Sequence, residues 1–465
     1  MTVDAMIALN RFGLGAVPNE AAKVSGDPRG WLVDQLDSAS AVPPPFAGLP
    51  HSADILVEFQ AFRQRDRDAK KSGKAANVDP ARKVGKTLRT HYLAQADARY
   101  RYAATTEHPF AERLVHFWTN HFAVSADKPP IPALAGSFEN EAIRPGITGS
   151  FVDLLLAVEQ HPAMLLYLDN QRSVGPNSTL ATRASRRQGR QRFGLNENLA
   201  REILELHTLG VDGGYSQEDV TSFARVLTGW SIGGDIGNGR FAEGKPGTFE
   251  FRDNIHEPGA KTVLGQVYRE QGVNEGIAVL RSLASHPATA QHIATKLARH
   301  FVADDPPATL IDRLARNYLD HDTELRPVYE ELIRSPEAWQ AQSSKYKTPH
   351  EFLVSTLRAL DHEPENSKFI IGALDLMGQA PWRPGSPAGW PDTADEWGGA
   401  DGLYKRIEWS NTVAGIVGNR IDPAKLGDAV LGATLSADTR RWIQRAETRE
   451  QGIALLLASP DFQRR

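Results

Sequence analysis

Two carboxylates one helical turn apart can share a proton or a divalent cation, and the chain carries such a pair at Glu202 and Glu205. They lie in FGLNENLAREILELHTLG, where Asn198, Arg201, Glu202 and Glu205 follow a spacing that puts them on one face of a helix. Asn196 precedes that face and His207 closes it, where a histidine either acts on substrate or complements the helix C-terminus. A second cluster, Glu112, His116 and Asn120, recurs every fourth residue along FAERLVHFWTNHFAVS, with His121 on the aromatic side beside Phe117, Trp118 and Phe122. If these helices face each other, Glu112, His116, Glu202 and Glu205 make a carboxylate-plus-histidine site able to hold a divalent metal. In that arrangement Glu202, Glu205, His207 and His116 are the catalytic candidates. The competing reading is structural: Arg201 neutralises the two glutamates in buried ion pairs, and the histidines are satisfied core residues.

A third group is His256 and Lys261 together with the Trp-rich loop of Trp382, Trp390 and Trp397. Indole rings there either stack on a sugar or pin the loop to the body. With Asn120, His121, Asn196, Asn198 and Arg201, the residues His256, Lys261 and Trp390 form the expected substrate-binding set.

The elements that must position these groups are helical almost throughout. Ser216 with Asp219 predicts a capping box at the start of a helix, and Asp27-Pro28 predicts a cap followed by proline at the first helical position. The charged run between Arg63 and Lys83 reads as a solvated tip between two long helices. From Gln171 to Gly194 there are six arginines and no acid, which predicts a mobile surface loop, either plainly solvated or a clamp for an anion. Only residues 231–268 break the helical habit, with an extended loop or small hairpin. The expected fold is all-α: one large bundle-like helical domain over residues 1–465, with long irregular loops and any sub-division near 231–270.

Composition narrows the function classes. Among 465 residues there is no cysteine, which removes disulfides, thiolate metal sites and a cysteine nucleophile. A formal net charge of -4 offers no global field for nucleic acid, and acidic Glu218 and Asp219 at the start of the second helix repel phosphates. No apolar run is long enough to span a membrane. The N-terminal residues lack the pattern of a signal peptide, so the sequence as it stands reads as cytoplasmic. A chain trimmed of its signal would read the same and be periplasmic.

The motifs RFGLG, HFWTNHFAVS, HPAMLLYLDN, NENLAREILELHTLGVDGGYSQEDV with ARVLTGW, HEPGAKTVLG and SPAGWPD occur in one order along the chain. In that order they resemble the bacterial DUF1800 family, a domain of unknown function, over nearly the full length. Two departures are His256-Glu257, where the family more often has His-Asp, and a segment near Trp390 that is poorer in Gly and Lys. The resemblance implies a large, mostly helical protein with no established activity. It also implies a partner, since the family's genes often sit beside an exported sulfatase-like family. Three functions remain open: a hydrolytic or metal-assisted enzyme with a polar pocket between the 112–121 and 196–207 helices, an accessory or folding partner of the sulfatase-like protein, and a glycan-binding protein using the Trp-rich loop.

Overall fold

The computed structural model describes residues 2–37, 42–71, 80–188, 194–234, 244–364 and 367–465. It is 65% helical, with two small antiparallel sheets of two strands each. Helix starts are written in the sequence by a polar cap followed by proline. His161-Pro162 and His286-Pro287 each open a helix in which the imidazole Nδ1 accepts the amide of the second residue on, at 3.1 Å. Proline fits there because its missing N–H would have had no helical partner. Thr348-Pro349 opens another helix with a full capping box to Glu351.

Six helices carry the residues that matter below: α1 (Pro80–Thr105), α2 (Pro109–His121), α3 (Asn198–Glu202), α4 (Gln217–Val226), α5 (Pro287–Phe301) and α6 (Pro349–Ala359). Every residue of α2 except Asn120 is buried. A helix covered on all sides lies inside the molecule, and α2 packs against Ala8–Phe12, Pro28–Asp37 and Glu139–Ile143. Apart from His116 Nε2 and His121 Nδ1, which lack a hydrogen-bond partner, its buried polar side-chain atoms are satisfied internally. Trp118 does this by donating Nε1 to the Tyr329 hydroxyl at 2.6 Å, which donates in turn to the Ile147 carbonyl at 2.8 Å.

Three stretches, Ala8–Phe12, Glu139–Ile143 and Ile203–His207, are π-helical. The last continues α3, so the regular face expected for Asn198, Arg201, Glu202 and Glu205 is interrupted after Glu202. An inserted residue rotates the later side chains out of register.

The capping box of Ser216 and Asp219 is present at α4, and Asp27 Oδ1 accepts the Gly30 amide at 2.9 Å at the start of Pro28–Asp37. In the non-helical region β1 (Trp230–Ile232) pairs with β2 (Phe249–Phe251), and β3 (Lys261–Val263) pairs with β4 (Gln266–Tyr268). The β3–β4 turn is Leu264-Gly265, both with positive φ, the two-residue turn whose twist matches a hairpin.

The arginine-rich stretch differs from expectation. Thr179–Gln188 is a helix, and Leu180 and Ala181 pack with Val174 and Ile255. Nothing in TLATRASRRQ breaks a helix, and its Leu, Ala and Arg residues favour one. The side chains of Arg186 and Arg187 and all of Arg190 and Arg192 lie outside the described residues, as does 72–79 of the charged tip.

One contiguous cluster of buried apolar side chains runs from Ala5 to Phe462. Among the described residues no helix is long and apolar enough to cross a membrane.

Candidate active site

A cavity of about 360 Å³ opens beside α2. Its walls come from α1, α2, α5, the first turn of α6 and an irregular strap of residues 379–393. The strap is tied down by α2 itself. The Asn120 side chain accepts the Trp390 amide at 2.7 Å and donates to the Trp390 carbonyl at 2.8 Å. Gly389 makes that approach possible: its φ is +82°, and a Cβ there would lie 2.3 Å from the Asn120 carbonyl oxygen. Further along, Trp382 donates Nε1 to Glu139 at 3.1 Å, and its carbonyl accepts the Ala126 amide at 2.7 Å.

A file of polar side chains leads from the protein interior to this cavity. Arg144 grips both oxygens of Glu112, at 2.5 and 3.0 Å. Glu112 Oε1 lies 3.2 Å from His116 Nε2, His116 Nδ1 lies 3.0 Å from His350 Nε2, and His350 Nδ1 lies 3.1 Å from the Tyr100 hydroxyl. The Glu112–His116 contact is electrostatic and lacks hydrogen-bond geometry, and the carboxylate favours the tautomer with hydrogen on the facing Nε2. With that tautomer, His350 Nε2–H donates to His116 Nδ1, and Tyr100 O–H donates to His350 Nδ1. Burial alone raises the pKa of Glu112, but Arg144 and His116 outweigh it and hold the carboxyl well below its usual range. Burial keeps His350 well below the ordinary histidine value, reinforced by His116 and Arg99, so both imidazoles are neutral at pH 7. His350 is the partly exposed member of the file. The phenol is pushed up to about 12 by burial, against the pull of Arg99.

The opposite wall is cationic. Arg113 donates to Glu351, to the Gly13 carbonyl at 2.5 Å and to His300 Nε2 at 3.2 Å. His300 Nδ1 lies 2.6 Å from Asp392 Oδ2, so the imidazole is held between a donor and an acceptor. Burial takes it down to about 4 despite the opposing pull of Asp392. Lys296, one turn before His300 on α5, faces the same space. Burial lowers it to about 8, with Asp392 opposing and Arg299 adding to the effect.

The residues expected from sequence divide into four groups. Glu112, His116, Asn120, His121 and Trp390 are all at or beside the cavity. His121 lines it and approaches the carbonyl of His207 at 3.1 Å with Nε2. Glu202 and Glu205 are half-buried and do not line it. Arg201 makes no ion pair with them, though its charge favours the Glu202 carboxylate: it pairs with Glu197 at 3.3 Å and donates to Gln217 at 2.8 Å. Burial raises the Glu202 carboxyl pKa, with His207 opposing and Glu205 adding. His207 itself is fully buried and bonded to Glu159 at 2.7 Å.

Asn196 holds the Leu168 carbonyl at 3.1 Å and accepts the Asn198 amide at 2.9 Å, which makes it a turn residue at the entry to α3, and Asn198 is exposed. His256 and Lys261 sit together elsewhere. Lys261 donates to Glu275 at 3.0 Å and to the Glu257 carbonyl at 2.6 Å, and His256 holds the Thr228 carbonyl at 2.7 Å. Trp390 and Trp397 have ring centroids 6.1 Å apart and planes inclined at 54°, so they offer no flat stacking platform.

The expected four-residue metal set is not brought together. Both oxygens of Glu112 are taken by Arg144, and among the described residues no three His, Asp or Glu side chains group so as to hold a metal ion.

Tyr100, Arg113, Lys296, His300, His350 and Asp392 were not among the expected residues. A signal for some of them exists. Lys296, Arg299 and His300 share one face of HIATKLARHF, and Thr348-Pro349-His350-Glu351 places a histidine in the first turn of a capped helix.

The family profile described as a protein of unknown function (DUF1800) matches residues 7–464, almost the whole chain. The chain belongs to the DUF1800 family. No curated protein and no solved structure matches it. The DUF1800 blocks are therefore placed by this structure: HFWTNHFAVS supplies the floor of the cavity, SPAGWPD forms its strap, and NENLAREILELHTLG lies behind His121.

Proposed function

We propose that the protein is an enzyme performing acid–base, hydrolytic chemistry on a small molecule in the cavity beside α2. The observation that supports this reading is the one-way file from Tyr100 through His350 and His116 to Glu112. A carboxylate that favours one tautomer of an imidazole, and through it of a second, leaves a neutral nitrogen able to take a proton at the cavity. When a substrate hydroxyl or water replaces Tyr100 as donor to His350 Nδ1, its O–H bond breaks, the proton passes to Nδ1 and the oxygen pair is freed for attack. The positive charge on His350 is then spread towards His116 and stabilised by Glu112. Relative to the sequence expectation, the 112–121 wall of the pocket is kept, and α5, α6 and the strap take the place of the 196–207 wall.

The test is turnover of 4-nitrophenyl acetate, phosphate, sulfate and glucoside by wild type and by His350→Asn. The file predicts a loss of about 100-fold or more in His350→Asn for whichever ester is cleaved. Unchanged turnover in that variant removes His350 from the chemistry.

One observation favours a second reading, a docking role toward a protein such as the sulfatase-like partner. The Ala400–Val417 helix exposes Leu403, Tyr404 and Ile407 within one turn. Co-elution of the two proteins, abolished by Leu403→Glu with Ile407→Glu, is its expected result, and separate elution at micromolar concentrations contradicts it.

A further inference from the structure

We propose that the ligand of this cavity is an anion, an oxyanion group such as a carboxylate, phosphate or sulfate on an apolar body, seated on Lys296. This rests on reading the cavity as the working site, and it names the class of molecule that site accepts.

The side chains lining the cavity include Arg99, Arg113, Lys296 and Arg299 against two acids, Glu351 and Asp392. Both acids already face cations, although Asp392 Oδ1 makes no hydrogen bond. Glu351 receives Arg113 and, at 2.8 Å, Arg465, while its other oxygen accepts the Thr348 amide at 2.9 Å. Asp392 holds His300 at 2.6 Å and lies 3.3 Å from the Lys345 ammonium. Arg99 is spoken for by Glu139 at 3.1 Å. Lys296 differs from Arg99 and Arg113: no described residue forms an ion pair or hydrogen bond with it. A charged ammonium so placed feels the Asp392 carboxylate but lacks the contacting counter-ion that partly buried charges ordinarily have.

The remaining wall suits the rest of such a molecule. Leu14, Phe117, Val124 and Trp382 present apolar surface, and the volume is that of a small-molecule pocket, at the lower end of the usual range. His116, His121, His300 and His350 are all held below the ordinary histidine value by burial, so they stand in the wall as neutral groups at pH 7. The free positive charge in the lining is therefore concentrated on Lys296 and the exposed Arg299. An anion entering here neutralises Lys296 without displacing an existing ion pair.

Calorimetric titration of the full chain at pH 7 tests this with four probes sharing one ring: benzoate, phenyl phosphate, phenyl sulfate and neutral benzamide. At least one anion should bind about tenfold or more tightly than benzamide, and Lys296→Met should lose that advantage while Lys296→Arg keeps most of it. Thermal melts of both variants confirm folding, and Lys296→Arg keeps the test valid if Lys296→Met does not fold. Benzamide binding as tightly as every anion, an anion bound equally by Lys296→Met, or no binding of any anion at millimolar concentration each overturns the proposal. The enzyme reading fails separately. If anions do not bind but His350→Asn abolishes cleavage of a neutral ester, only the ligand class falls. If anions bind and His350→Asn still turns over normally, only the catalytic role falls.

Discussion

Glu112 shows how far a residue's role depends on what faces it. From sequence it was a carboxylate four residues before a histidine, a candidate metal arm. In the fold Arg144 closes on both of its oxygens, and the pair becomes the charged end of a polar file. Arg144 lies 32 residues away on another element, and no spacing within α2 foretells it. Replacing Glu112 with Gln leaves a buried guanidinium without its counter-charge and should cost about 3–5 kcal/mol, read from urea unfolding. The pH dependence comes from the lowered pKa of Glu112. Its stabilisation is fully present above the unfolded carboxyl value of about 4.3 and is lost as pH falls further, because the unfolded state then binds the proton more readily. Glu112→Gln should therefore flatten the acid limb of the stability curve. Lys296 is also lowered, so its slope has the same sign at a higher pH, although here it is the charged form that folding disfavours. In the free protein it sheds its proton near pH 8, earlier than when unfolded, so stability contributed through it rises with pH above that point. Binding of an anionic probe should weaken over the same range. The groups around that ammonium are Asp392 and Arg299, with His121 and His292 neutral beside it.

Elements were more legible than residues. Helix starts could be read because a cap and a proline are local chemistry, and the Ser216 box and the Asp27 cap are where the sequence places them. Helix faces were less secure. The stripe through Asn198, Arg201, Glu202 and Glu205 assumes an unbroken α-helix, whereas Ile203–His207 is π-helical and no local signal announces the inserted residue. The strap of 379–393 could be recognised as irregular and rich in Gly, Pro and Trp, but its anchor, the side chain of Asn120, comes from 270 residues away. Two substitutions test that anchor. Asn120→Ala removes both bonds to Trp390 and should cost about 2 kcal/mol, with faster hydrogen exchange at the Trp390 amide. Gly389→Ala puts a methyl group into the Asn120 backbone at a positive φ and should cost at least about 2 kcal/mol while loosening the same strap. Normal exchange at Trp390 in either variant would mean that the strap is held by other contacts.

Across the whole molecule, the all-α fold followed from periodicity alone, and the family from six motifs in order. The motifs that name the family do not by themselves locate the proposed site. The long NENLAREILELHTLG block carries identity, yet its glutamates lie outside the cavity. The buried helix of HFWTNHFAVS, bonded to elements 187 to 270 residues further along, carries the polar file and the floor of the pocket. Long-range packing makes that selection, and a single sequence records packing only as hydrophobicity. The most direct measurement is turnover of the 4-nitrophenyl esters by His350→Asn beside the double variant Glu202→Ala/Glu205→Ala, with both proteins shown to be folded. A site built on the file from Tyr100 to Glu112 predicts a loss of about 100-fold or more in the first and near wild-type turnover in the second. Full turnover in His350→Asn, with loss in the glutamate variant, would contradict it and move the chemistry to α3.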